Sequence, residues 1–98
     1  MNAYGISRIV ESIESILESG RFTVDGVEKT VDIRKVESSG NQIRVFLYLP
    51  ASDNAETITK VELIDDKGLV IDEQTDIKEK PAKQGLLVAF DYSISEVS

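Results

Sequence analysis

A chain of 98 residues, 41% apolar and 30% charged with two prolines, has the composition of one globular domain rather than of a disordered or fibrous protein. It contains neither Cys nor His, which excludes disulfide scaffolds, thiolate nucleophiles, cysteine zinc sites and His-based general acid–base or metal chemistry, so any catalysis would rest on carboxylates, Lys, Arg or Tyr. The net charge of −7 argues against binding a phosphate backbone, and the absence of both a long apolar run and a basic-then-apolar leader argues against a membrane span or a secretory signal.

From Tyr4 to Leu17 the apolar residues Ile6, Ile9, Val10, Ile13, Ile16 and Leu17 recur at helical spacing, which predicts an amphipathic helix within residues 1–20. Asn2 is placed to cap its start and Gly20 to end it, while Gly5 favours a first turn nearer Ile6 or Ser7. Glu11, Glu14 and Glu18 repel one another on the opposite face, answered only by Arg8, so the helix needs its apolar stripe buried. Two burial sites are open to it: a face of its own sheet, or copies of itself.

Beyond Gly20 the apolar period falls from 3.6 to 2, and residues 21–98 read as a β domain. Arg21–Asp25 and Val27–Val36 form a hairpin about the Asp25-Gly26 turn, and Ser38-Ser39-Gly40-Asn41 makes the next reversal. Gln42–Leu49 alternates strictly, with both sides of the strand expected to be partly covered. After Pro50 comes a polar loop. Thr57–Ile64 and Leu69–Gln74 then form a second hairpin about Asp66-Lys67-Gly68, and Thr75–Gly85, with its Lys-Glu-Lys-Pro-Ala-Lys run, reads as a solvated connection. Leu86–Ile94 closes the domain. One helix followed by six strands predicts an α+β, mainly β fold: an antiparallel sheet or a small immunoglobulin-like sandwich.

Charge is unevenly distributed. Residues 51–76 carry eight acidic and two basic side chains, a local charge of −6, whereas residues 21–50 carry five basic and four acidic. Asp65, Asp66, Asp72 and Glu73 are therefore a candidate contact surface for a basic partner. They lack the regular spacing of a calcium loop, and their density is too low for mimicry of duplex DNA, so neither metal nor cofactor is expected. The glycines form no phosphate-binding loop, and the three Tyr and three Phe, set within alternating strands, read as core.

The segments Thr57-Ile-Thr-Lys-Val-Glu-Leu-Ile-Asp65, Gly68-Leu-Val-Ile71 and Gly85-Leu-Leu-Val-Ala-Phe-Asp-Tyr-Ser-Ile94, with the leading helix and Gly20-Arg-Phe-Thr-Val-Asp-Gly26, resemble small structural proteins of the tail modules of bacteriophages and prophages of Gram-positive bacteria. The resemblance lies in layout and carries no catalytic or ligand motif. It implies a non-enzymatic component of the virion, made in the bacterial cytoplasm. Such a component would be a homo-oligomer, assembling with itself and with other virion or tail proteins, while the charge and the lack of a long apolar run argue against nucleic-acid and membrane partners. Its helix, through Ile6, Ile9, Val10, Ile13, Ile16 and Leu17, would form the multimer. The alternative expectation is a small acidic binding module or inhibitor that meets a basic host protein through residues 51–76.

Overall fold

The computed structural model describes residues 2–94; the last four residues of the expected β domain, 95–98, lie outside the described residues. Helix α1 runs Ala3–Ile16, and the Asn2 side chain accepts a hydrogen bond from the Gly5 amide at 2.8 Å. This cap tolerates Gly5 inside the first turn, so the helix starts earlier than the glycine suggested.

No turn follows the helix. Strand β1 (Leu17–Val24) begins on the next residue and pairs antiparallel with β2 (Val27–Val31) across Asp25 and Gly26, whose φ values of 51° and 77° are those of a tight hairpin turn. Gly20 is thus a strand residue and not a helix cap. A Cβ there would lie 2.4 Å from the nearer methyl of Leu47, so glycine is what lets the two sheets approach.

The expected strand Val27–Val36 is two strands in two sheets. The chain leaves β2 at Val31, turns at Asp32 and enters β3 (Ile33–Ser39), where a register shift leaves Arg34 without a partner. A bulge of this kind bends a strand and lets it change sheets at a sandwich corner. Strand β3 pairs with β4 (Gln42–Leu49), and β4 with β8 (Leu86–Ser93), forming a three-stranded sheet. Strand β5 (Glu56–Asp65) lies beside β1 in the other sheet. It takes β6 (Val70–Gln74) along one half of its free edge and β7 (Lys78–Lys80) along the other. The charged segment read as a solvated connection therefore contains a strand, for reasons that lie in its partners.

The fold class is α+β, mainly β, with eight strands among the described residues in place of six. Phe22, Val24, Ile58, Val61 and Leu63 of the larger sheet meet Ile43, Val45, Leu47, Leu49, Val88 and Phe90 of the smaller one in a single core. Burying these side chains supplies the main favourable free energy. Val10 joins that core from the helix, with Ile6, Ile13 and Leu17 packed against it, and the amide of Asp66 donates to the Ile16 carbonyl at 2.9 Å. The helix is thereby tied to the β5–β6 turn, and part of its stripe is covered by its own chain.

Candidate functional site

The sandwich interior is closed by polar side chains of β6, whose alternate residues point inward. Gln74 donates to the Ala89 carbonyl at 2.7 Å, and the Tyr92 hydroxyl donates to Asp72, both joining β6 to β8. Burial and the neighbouring Asp72 carboxylate hold the Tyr92 phenol well above its ordinary pKa. At the far end of β5 the Lys80 ammonium is fully buried, with Glu56 at 2.9 Å, the Ser52 hydroxyl at 3.1 Å and the Gln84 carbonyl at 3.3 Å. All three of its donors are used. Lys80, with Lys29 at 3.3 Å, holds the Glu56 carboxyl below the usual range. On the outer face of the larger sheet Glu62, almost fully buried, takes both arms of the Arg21 guanidinium, and Arg21 also reaches Glu28 at 2.7 Å. Arg21 holds the Glu62 carboxyl below its ordinary pKa.

These buried charges are all paired and face no cavity, so they bind the fold together and offer nothing to a ligand. A cleft of about 510 Å³ lies at the β3–β4 turn end of the smaller sheet and contains two carboxylates, Glu37 and Asp91. Each is paired with a cation and not with the other: Glu37 with Lys35 at 2.8 Å, and Asp91 with both arms of Arg44. Among the described residues no group of three or more Asp or Glu side chains is arranged to hold a metal ion, and no helix is long and apolar enough to cross a membrane.

The acidic residues singled out from the sequence separate. Asp65 accepts from the Lys67 and Leu69 amides, both at 2.9 Å, and so shapes the β5–β6 turn; Asp72 is committed to Tyr92. Asp66 and Glu73 are exposed and, among the described residues, have no cationic partner. Of the six residues of the predicted stripe, Val10, Ile6 and Ile13 of the helix and Leu17, which is the first residue of β1, meet the chain's own core. Ile9 is half-buried outside the core cluster, and Ile16, on the same side of the helix two turns on, is exposed.

Two apolar surfaces were not legible from periodicity. The first lies about the β5–β6 hairpin and the helix end, where Leu69, Val70 and Ile71 and, on the other side of β5, Ile16 are exposed, from 41% for Ile16 to 63% for Leu69, with Asp66, Lys67 and Glu73 exposed among them. The second is on the outer face of the smaller sheet, where Tyr48 (41% exposed) pairs across strands with Leu87 (56%) and the Arg34 guanidinium sits 5.6 Å from the centre of the Tyr48 ring. Among the described residues Arg34 has no acidic partner. Its position at the β3 bulge, off the regular alternation, is what hid this surface from the sequence.

Comparison with protein-family models, curated proteins and solved structures finds no match.

Proposed function

We propose that this chain is a non-enzymatic structural component of a phage or prophage particle, tail-associated and present as a homo-oligomer, whose helix contributes to assembly. The observation that supports the reading is the exposure of the apolar side chains Ile16, at the end of the helix, and Leu69, Val70 and Ile71, in the β5–β6 hairpin that the helix end is hydrogen-bonded to. Exposed apolar side chains gathered at one end of a fold favour an interaction surface there. The layout shared with small tail-module proteins supports placing it in the virion, and a residue inventory without His or Cys supports a structural role.

The test is quantitative mass spectrometry of particles purified from cells carrying the gene. The expected result is a fixed copy number per particle that survives stringent washing. Absence of the chain from the particles would overturn the assignment.

A second reading, an acidic module that contacts a basic host protein through residues 51–76, is favoured by the exposed carboxylates Asp66 and Glu73, which have no cationic partner among the described residues. It predicts capture that weakens with salt and is lost when both carboxylates are neutralised.

A further inference from the structure

Helix α1 is held to the sandwich far more weakly than the two sheets are held to each other. Val10 is its one buried residue, and Ile6, Ile9 and Ile13 are half-buried. A cleft of about 410 Å³ separates Ile6, Val10 and Glu14 of the helix from Ser38 and Gly40 at the β3–β4 turn. Among the described residues, every side-chain hydrogen bond and ion pair made by residues 3–16 stays within the helix and its Asn2 cap. The bond from the Asp66 amide to the Ile16 carbonyl, at the last residue of the helix, is the one polar link to the sandwich among the described residues. The sheets, by contrast, share a core of fully buried side chains and are bridged by Gln74 to Ala89 and by Tyr92 to Asp72.

The helix also has little stability of its own. Its 14 residues are close to the shortest length at which an isolated helix persists in water. No acidic residue stands in its first turn and no basic one in its last, where Glu14 instead meets the negative end of the helix dipole. The Ser12 and Ser15 hydroxyls donate to the Arg8 and Ser12 carbonyls, which competes with the helical ladder. The chain passes from α1 to β1 without a loop, and Leu17 is already extended, so a change of backbone angles at Ile16 and Leu17 releases the helix while the β1–β5 ladder stays paired. We infer that α1 is a lid, which leaves the end of the sandwich and loses its helical order as a unit, at a free energy well below that of unfolding the sheets. The closed form commits Ile6, Val10 and Ile13 to the chain's own core, and the open form frees them. A partner that recognises these side chains meets them only in the open form. Opening therefore controls access to the face through which the helix would assemble, but it does not depend on the virion assignment, because exchange rates and particle content are measured separately.

The experiment is amide hydrogen exchange of the whole chain under native conditions, read by mass spectrometry of peptides from α1, β4 and β5. The amides of Ser7–Ile16 are expected to be protected, yet to exchange at least about tenfold faster than the slowest amides of β4 and β5. Two variants separate the lid from the sandwich, and thermal melts check that both fold. Ile58→Val, at the end of β5 remote from the helix, weakens the closed and open forms alike. It should speed the slowest β4 and β5 amides by about two- to tenfold and leave the helix amides unchanged. Val10→Ala removes the helix's buried anchor and should speed the helix amides by about fivefold. Four outcomes would overturn the inference: helix amides as slow as those of β4 and β5; helix amides with no protection, which would leave no closed form; an equal acceleration of helix and strands by Ile58→Val, which would make them one cooperative unit; or helix rates indifferent to Val10→Ala, which would show that exchange there proceeds without release of the helix from the core.

Discussion

The Lys80 ammonium, without solvent exposure, lies 2.9 Å from the Glu56 carboxylate, and this pair closes the end of the sandwich remote from the helix. Strand β7 exists because Lys80 and Glu56 are also backbone partners across the sheet, so one residue pair supplies both the ladder and the charge contact. Ser52 and Gln84, from the loops on either side, complete the ammonium's hydrogen bonds.

Replacing one member of this pair is expected to cost far more than replacing both. Glu56→Gln leaves a buried ammonium without its counter-charge and should destabilise by about 3–5 kcal/mol, whereas the double variant Glu56→Gln, Lys80→Met should recover much of that loss. Urea denaturation of the two single variants and the double variant measures the coupling. Additive losses would show that the pair is not a unit.

Acid should weaken the fold through Glu56 and Glu62. Both carboxyls are held below the ordinary value of 4.5, by Lys80 and Arg21 respectively. The unfolded chain therefore takes up protons first as the pH falls. The stabilisation is fully present above pH 4.5 and is lost as the pH drops through the lower folded-state values. Thermal melts between pH 6 and pH 2.5 should show a falling midpoint, and Glu56→Gln should flatten the slope. An unchanged slope would remove Glu56 from the linkage.

Tyr92 has the opposite sign. Its phenol is held above its ordinary value of 10 in the folded chain, so the unfolded chain ionises first. The stabilisation is fully present below pH 10 and declines as the pH rises beyond it. Tyr92→Phe removes the bond to Asp72 and should cost about 1.5–3 kcal/mol at neutral pH, while abolishing this alkaline loss. Melts at pH 7 and pH 10.5 separate the two effects.

Gly20 and Gly85 should respond differently to the same added methyl. At Gly20 the new Cβ meets Leu47, which is fully buried and has no room to withdraw, so Gly20→Ala should destabilise by about 1–3 kcal/mol. At Gly85 it meets the hydroxyl end of Tyr48, a half-exposed ring that can swing outward. Gly85→Ala should therefore leave the melting temperature within a few degrees of wild type while displacing Tyr48 from Arg34. A change in Tyr fluorescence relative to the wild type reports that displacement.

The sequence by itself determined the elements whose cause is local. The spacing of Ile6, Ile9, Val10, Ile13, Ile16 and Leu17 specifies a helix and its apolar face, Asn2 caps it, and Asp25-Gly26 and Gly68 make the hairpins because positive φ is cheap there. Alternation likewise specified the strand Leu86–Ser93 with its inward side and the strand Gln42–Leu49, although the second face of the latter, expected to be partly covered, is exposed at Gln42, Arg44 and Tyr48. What only the tertiary structure decided depends on partners distant in the chain. The change of sheet at Asp32 is imposed by β1 on one side and β4 on the other. The burial of Lys80 in a run that reads as solvated is imposed by Glu56, 24 positions earlier. Asp72 and Asp66 look alike in sequence, yet one points inward at Tyr92 and the other stands free. The candidate surfaces have the same origin: Ile16 lies at the same end of the fold as Leu69 because the helix is hydrogen-bonded to the β5–β6 turn, and Arg34 reaches Tyr48 because a bulge takes it out of alternation. Periodicity records which face of an element is apolar, but the exposure of that face depends on what the rest of the chain lays over it.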